Sequence, residues 1–201
     1  MSKLSVDYSF SSSEIDKLLD LEKNLPSLSP RFQKLVAEIV MLRLFYLFQE
    51  SVASIATKLV CGASYIDGSM AAVLAPARSA TAAHSNMRLF GRSKPRSSLK
   101  WSKVSDIKEN VKYVVAPTEH FVTVLDHHGT FVDEMRRVRN RIAHNNLQAR
   151  QNYRFIVQRY YGAFLNSVTP GTLLLSTRRS PALLNQYLTK TKILLKAIAK
   201  A

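Results

Sequence analysis

The side chains of this sequence that could do chemistry are concentrated in residues 136–146, which read Arg-Arg-Val-Arg-Asn-Arg-Ile-Ala-His-Asn-Asn. Within this string Arg139 and Asn140 are followed, one helical turn later, by His144. Histidine has an unperturbed pKa of about 6.5 and can move protons near neutral pH. Arginine is a fixed cation that can stabilise negative charge developing on a phosphate. The string therefore predicts chemistry at a phosphate group.

The reaction that suits these side chains is metal-free transesterification of RNA, in which the ribose 2′-hydroxyl attacks its own phosphate. His144 would move the protons and Arg139 would hold the phosphate. Asn140 lies one turn below His144, so its amide can orient the imidazole or the scissile ribose. No cofactor is required. The neighbouring arginines would position the RNA backbone and not react; they are Arg136, Arg137, Arg141, Arg150 and Arg154.

The order Arg139, Asn140 and His144 resembles the signature of the HEPN superfamily, in which an Arg and a polar residue are followed by a His four to six residues after the Arg. The resemblance implies a helical bundle with the motif late in one helix, and a metal-independent endoribonuclease of the toxin or phage-defence type. It also implies RNA as substrate, a symmetric homodimer and an antitoxin or regulatory protein as a further partner. Some HEPN toxins carry a Tyr two residues after the His, where an antitoxin modifies them. Here that position is Asn146, so we do not expect that regulation.

Other interpretations of the same string remain open. An Arg-rich helix end is often a solvated face that complements the helix dipole, and residues 144–146 could be a C-terminal cap. The chain could be a catalytically silent HEPN RNA-binding module, or a helical protein-interaction domain. A ribonuclease needs Arg139 and His144 exposed in a shared groove, and an RNA-binding module needs only a basic surface. An interaction domain should show a large apolar patch.

A helical wheel separates the motif from the predicted core. At 100° per residue Phe131, Met135 and Ile142 fall within about 60° of Val138 and form a buried stripe. Asn140 and His144 fall on the opposite side, whereas Arg139 and His144 are about 140° apart. We therefore do not expect one helix alone to focus both side chains on one phosphate. Two copies packed about a twofold axis would place Arg139 of one chain beside His144 of the other, so the wheel predicts a homodimer through the motif helix.

The net charge of +15 is concentrated near the motif, because residues 135–201 contain no Asp or Glu. A field of one sign attracts polyanions and is typical of nucleic-acid binding, although a solubilising surface or a patch for an acidic protein is the alternative. The segment carries 13 of the 29 basic residues, namely Arg136, Arg137, Arg139, Arg141, Arg150, Arg154, Arg159, Arg178, Arg179, Lys190, Lys192, Lys196 and Lys200.

Composition predicts a cytoplasmic protein. Cys61 is the single cysteine and cannot form an internal disulfide, so nothing indicates an oxidising compartment. Residues 1–10 lack the apolar region of a secretory signal. The apolar stretch 39–48 is interrupted by Arg43, and we expect it to be too short and too charged to span a membrane. The remaining histidines lack metal-ligand spacing, so no metal site is predicted.

Apolar periodicity and Pro or Gly breaks predict an all-α fold, a bundle of about five to six helices forming one domain over residues 1–201. Residues 91–100 are basic and rich in helix breakers, which predicts a flexible insertion; Trp101 beside it could stack on a base or serve as a half-buried anchor. The predicted helices begin or end near residues 13–25, 30–61, 77–90, 118–146 with a break at Gly129, 147–164 and 181–198. Residues 114–115 and 173–175 are weak strand candidates.

Overall fold

The computed structural model describes residues 4–178 and 180–201; Arg179, one of the basic residues of the acid-free segment, lies outside them. Within that part of the chain the protein is 66% helical, with nine α-helices and no strand, which confirms the all-α prediction. The helices are α1 Ser5–Lys23, α2 Pro30–Val60, α3 Ala80–Leu89, α4 Val104–Val111, α5 His120–His127, α6 Gly129–Ala143, α7 Leu147–Tyr161, α8 Pro170–Leu174 and α9 Leu183–Ala199. A short 3-10 helix, Leu25–Ser27, follows α1.

The predicted count of five to six helices was too low because short helices escaped the apolar pattern. In α4, Val104, Ile107 and Val111 are buried at helical spacing over only two turns. Helix α8 is a single turn that begins at Pro170, and the Thr169 side chain caps it by accepting from the Thr172 amide at 3.2 Å. The strand candidate 173–175 falls largely in this turn. The other candidate forms one isolated bridge, between residues 73 and 115.

Helix α1 begins at Ser5, eight residues before the predicted start. In the sequence, Ser12 or Ser13 looks like the N-terminal cap of this helix, but the chain is already helical there. A serine inside a helix can satisfy its hydroxyl on the preceding turn. Ser11 does so by donating to the Asp7 carbonyl at 2.8 Å, and its hydroxyl lies 2.6 Å from that of Ser51. Two hydroxyls that bond each other can be buried without an unsatisfied group.

Apolar periodicity along the predicted helices also predicts which side chains are in the core, and five of these are exposed instead. They are Leu35, Ile39, Phe155, Ile193 and Leu21, each more than half exposed. On α2 the first two lie with Phe32 and Tyr46 along one face, and we call these four residues the α2 stripe. Among the described residues one helix, α2, is long and apolar enough to cross a membrane, with a mean hydropathy of 1.4 over its best 18-residue window. However, 56% of that window is buried, as in the core helix of a soluble protein.

The described chain divides into two compact units whose boundaries fall inside α1, α2, α6 and α9. The first contains the residues up to Ser12, Phe48–Val132 and Ile193–Ala201. A buried carboxylate organises it: Glu119 accepts hydrogen bonds from the Tyr65 hydroxyl and, at 2.6 Å, from the Ala72 amide. This carboxylate ties the loop after α2 to the start of α5. The prediction of a single domain stays a prediction.

The basic segment 91–100 belongs to this first unit. Arg92 within it is largely buried and donates to the Glu109 carboxylate at 2.8 Å and to the Met87 carbonyl at 3.0 Å. Arg92 is thus fixed to helix α4. Arg96 is fixed to Arg88 of α3, because its amide donates to the Arg88 carbonyl at 3.0 Å and its carbonyl accepts from the Arg88 side chain at 2.9 Å. The flexibility of the segment stays a prediction. Trp101 is half-buried, as expected of an anchor.

The second unit contains Ser13–Leu47 and Asp133–Lys192, and it holds the whole motif. Residues 133–192 contain only two acidic residues, Asp133 and Glu134. Carboxylates from residues 13–47 bind groups of this basic part of the unit. Glu38 on α2 accepts from the Gly171 amide at 2.9 Å, and Asp16 binds Lys192 at 2.6 Å. Glu134, on α6, accepts from the buried Tyr187 hydroxyl at 2.8 Å. Glu134 also pairs with Arg159 at 3.4 Å, so α6 is tied to both α9 and α7. Helices α6 and α7 carry the candidate site.

Candidate functional site

Helix α6 carries Arg139 and Asn140 outside its fully buried face, and His144 directly follows the helix. Met135 and Val138 are fully buried, as the wheel predicted, whereas Phe131 and Ile142 are only half-buried. The helix ends at Ala143, and the amide of His144 donates to the Asn140 carbonyl at 2.9 Å, completing the last turn.

Arg139 and Asn140 contact each other directly. The Arg139 Nη1 donates to the Asn140 Oδ1 at 3.1 Å, and its guanidinium lies 5.9 Å from the centroid of the Phe45 ring, at the outer limit of a cation–π contact. Both side chains are partly buried. The first two residues of the motif therefore form one group whose arginine is held at its flat face by an aromatic ring and at its edge by an amide.

His144 is separated from that group. It is exposed, and its side chain makes no hydrogen bond, ion pair or ring contact within residues 4–178 and 180–201. An exposed imidazole without partners is available to a ligand. Within one chain, the structure joins Arg139 to Asn140 and leaves His144 at the start of the link between α6 and α7.

Arg136 and Arg137 share one acidic partner. Asp133 binds Arg136 through Oδ1 at 2.6 Å and Arg137 through Oδ2 at 2.7 Å, so one of the two positive charges is neutralised. Burial acts to raise the pKa of Asp133, but the bonds and charges of the two arginines outweigh it and hold the pKa below its usual value. These two arginines therefore add less field toward RNA than the sequence suggested.

Arg141 and Arg150 are held by a neutral acceptor. The single oxygen Oδ1 of Asn145 accepts from Arg141 at 3.2 Å and from Arg150 at 3.1 and 2.9 Å. Arg154 is held in the same way by Oδ1 of Asn166, at 2.6 Å. An amide oxygen orients a guanidinium without cancelling its charge. Among the described residues no carboxylate pairs with any of these three arginines.

The same three arginines line one cleft of about 430 Å³, which we call the arginine cleft. None of its lining residues is acidic. Its floor includes Tyr153, which is buried and donates to the Val168 carbonyl at 3.3 Å. Burial raises the pKa of the Tyr153 hydroxyl above its usual value, so this group stays neutral and adds no negative charge to the cleft. The cleft suits an anion with several charged oxygens, such as a stretch of phosphodiester backbone.

The residues that sequence reasoning missed are the acceptors and one aromatic pair. Asn145 and Asn166 were not predicted to organise the arginines, because an asparagine in a loop carries no distinguishing pattern. Phe155 was placed in the core, although Tyr153, Ile156 and Tyr160 already define the buried face of α7 at helical spacing. The helical spacing of these three buried residues would have predicted that Phe155 lies on the exposed face of α7.

No group of three or more His, Cys, Asp or Glu side chains that could hold a metal ion occurs in the part of the chain that the structure describes. His84 and His120 bond within the first unit, to Thr57 and to the Ala197 carbonyl. No family model, curated protein or solved structure matches the chain.

Proposed function

We propose that this protein is a metal-independent endoribonuclease, in which the arginine cleft binds the RNA backbone and the motif Arg139, Asn140 and His144 cleaves it. The observation that carries the proposal is the position of His144. It is exposed and unpartnered, and it directly precedes Asn145, the residue that orients two of the three cleft arginines. A phosphodiester bound in the cleft would thus lie near an available imidazole.

The proposed reaction assigns one role to each side chain. His144 accepts the proton of the ribose 2′-hydroxyl, and the 2′ oxygen forms a bond to the adjacent phosphorus. The bond from phosphorus to the 5′ oxygen breaks, and that oxygen leaves with a proton from water. The products are a 2′,3′-cyclic phosphate and a 5′-hydroxyl end. Arg139, oriented by Asn140, stabilises the charge that builds up on the phosphate oxygens.

The biological setting that the HEPN resemblance implies is that of a cytoplasmic toxin or phage-defence effector. A toxin of this kind needs a neutralising or triggering partner, which the proposal takes to be an antitoxin or regulatory protein. The acid-free segment is a surface on which an acidic partner would compete with RNA.

The test is cleavage of an end-labelled single-stranded RNA by the purified protein. We expect cyclic-phosphate and 5′-hydroxyl products from the wild type, none from His144→Ala, and undiminished product from His127→Ala, an exposed histidine outside the motif. Binding without cleavage by the wild type would overturn the enzyme and leave an RNA-binding module. No binding of RNA at all would overturn both.

A second candidate function, a helical protein-interaction domain, is favoured by the α2 stripe. Phe32, Leu35, Ile39 and Tyr46 are each at least half exposed and follow one face of a helix. Ile39→Asp places a charge at the centre of the stripe. If protein interaction is the function, we expect Ile39→Asp to abolish the toxicity of the expressed protein. If the protein is a ribonuclease, we expect Ile39→Asp to leave its rate of RNA cleavage unchanged.

A further inference from the structure

Two exposed phenylalanines contact each other beside the arginine cleft. Phe155 of α7 is 55% exposed and Phe164 of the following loop is 54% exposed. Their rings meet edge to face, with centroids 6.4 Å apart and planes at 71°. We call these two residues the phenylalanine pair. Exposed aromatic rings are costly in water unless something covers them.

The loop that carries Phe164 is fixed onto α7 by specific bonds. Gly162 ends the helix with φ of 79°, in the left-handed region that favours glycine, so the chain turns back sharply. The returning loop is held by the bonds from Arg154 to Asn166 and from the Tyr153 hydroxyl to the Val168 carbonyl. These bonds, and not the two rings alone, bring Phe164 beside Phe155.

The phenylalanine pair lines a second cleft, of about 440 Å³, which shares Gln151 and Arg154 with the arginine cleft. The other residues that line it are amides, Gln148 and Asn152. No acidic side chain lines either cleft. The two clefts adjoin, so the arginines of the arginine cleft are followed by amide groups and then by the rings of the phenylalanine pair.

We infer that the phenylalanine pair stacks on an unpaired base of single-stranded RNA whose phosphates occupy the arginine cleft; this inference rests on the proposed function. Grooves that bind single strands combine cations along the backbone with aromatic side chains on which bases stack. In a duplex the bases already stack on one another, so their faces cannot reach the pair. The charge of Arg154, which borders both clefts, favours a polyanion over an apolar peptide as the occupant.

The experiment measures fluorescence anisotropy with three labelled RNAs of equal length: an adenine oligomer, the same oligomer with abasic sites, and a blunt duplex. The variant Phe155→Leu/Phe164→Leu keeps apolar bulk and removes both rings. Stacking of one base predicts that it binds the adenine oligomer about fivefold to 150-fold more weakly than the wild type does. Its affinity for the abasic oligomer and for the duplex stays unchanged. The matched control is Phe32→Leu, which is 58% exposed on α2 and lines neither cleft.

A spectroscopic measurement guards against a change that is only structural. An oligomer with one 2-aminopurine loses fluorescence when that base stacks, and we expect binding to the wild type to quench it and binding to the double variant to leave it bright. Unchanged affinity of the double variant for the adenine oligomer, or equal quenching by both proteins, would overturn the stacking.

A variant of the arginine cleft separates a failure of base stacking from a failure to bind RNA. Arg150→Gln removes a cation from the arginine cleft and should weaken the binding of all three RNAs, since each carries phosphates. If that loss is seen while the double variant behaves as wild type, the arginine cleft stands and the stacking is wrong. If the wild type binds none of the three RNAs, the proposed function fails and the inference fails with it.

Discussion

Arg139 donates a hydrogen bond to the side-chain oxygen of Asn140 at 3.1 Å, although adjacent residues on a helix point about 100° apart. The long arginine side chain closes that angle and rests against Phe45. Among the described residues, the side chain of His144, the third member of the motif, makes no hydrogen bond, ion pair or ring contact with either of them. The phosphate-binding group and the proton-transfer group are thus separate in one chain, and this separation shapes the first two predictions.

His144→Ala should remove toxicity without changing the fold. The side chain is exposed and makes no hydrogen bond, ion pair or ring contact among the described residues. Its loss therefore leaves packing intact while it removes the only proposed proton acceptor. Induced expression of the wild type should arrest growth of host cells, and the variant should not, at equal protein levels and with the same thermal midpoint. Equal toxicity of the two proteins would contradict the catalytic role.

Mixing two inactive variants tests whether each cleft draws on two chains. If Arg139 of one chain acts with His144 of the other, Arg139→Ala and His144→Ala should regain part of the cleavage rate in a mixed dimer, because one intact pairing is restored. Activity is measured on verified mixed dimers against each variant alone.

A second experiment tests which surface of the protein forms the dimer. A dimer formed through the motif helix should survive Ile39→Asp, which disrupts the α2 stripe, as judged by sedimentation. Mixed dimers without activity, or an active protein that remains monomeric, would show that the composite site is wrong.

Cleavage should persist in excess EDTA. The proposed steps need one group that moves a proton and one fixed cation, and the histidine and arginine of the motif supply both. The rate is measured before and after chelation, with a divalent ion added back. Loss of activity that the ion restores would contradict the metal-independent reaction.

The binding of RNA should depend on salt in proportion to the cations of the arginine cleft. Three contacts to a single strand predict a slope of log K against log salt of about −2, and Arg150→Gln should make that slope shallower by about 0.7. Arg159→Gln, on the same helix, removes the same charge but from an ion pair with Glu134 outside the cleft. An equal change in slope for both variants would mean that only net charge matters.

Gly171→Ala should destabilise the fold. A Cβ at this position would lie 2.7 Å from the Lys34 Cβ and 2.8 Å from its carbonyl oxygen, so α8 could not keep its distance from α2. Overpacking of this kind costs about 1–3 kcal/mol, measured as the free energy of unfolding in urea. Gly129→Ala is the control, since a Cβ there meets nothing within 4 Å and alanine favours a helix. A Gly171 variant as stable as the control would contradict the close approach.

The sequence predicted those parts of the fold that rest on strong local signals. The long helix α2 begins at Pro30 and ends just before Gly62, as its Ser-Pro start and glycine stop required. The break between α5 and α6 lies beside Gly129, as predicted. The start of α1 was wrong because a serine inside a helix that satisfies its hydroxyl on the preceding turn, as Ser11 does on the Asp7 carbonyl, looks like a cap from sequence alone.

The sequence predicted only part of the candidate site, because it does not show which residues pair with each arginine. The arginines could be named from the charge pattern, but which of them keep their charge depends on their partners. Asp133 precedes Arg136 and Arg137 by three and four residues, so that ion pair could have been read from helical spacing. The bond from Arg154 to Asn166 joins a helix to a returning loop, and no local pattern predicts it.

Arg141 and Arg150 share the side-chain oxygen of Asn145, so a chemical change of this one side chain would alter the charge beside both arginines. Deamidation of an exposed asparagine replaces its nitrogen with oxygen and turns a neutral side chain into a carboxylate. At Asn145 that ageing reaction would leave the oxygen in place and so retain both guanidinium groups, while a negative charge would form between Arg141 and Arg150. A molecule with this added charge would lose part of its attraction for phosphate, and Asn145→Asp introduces the same negative charge.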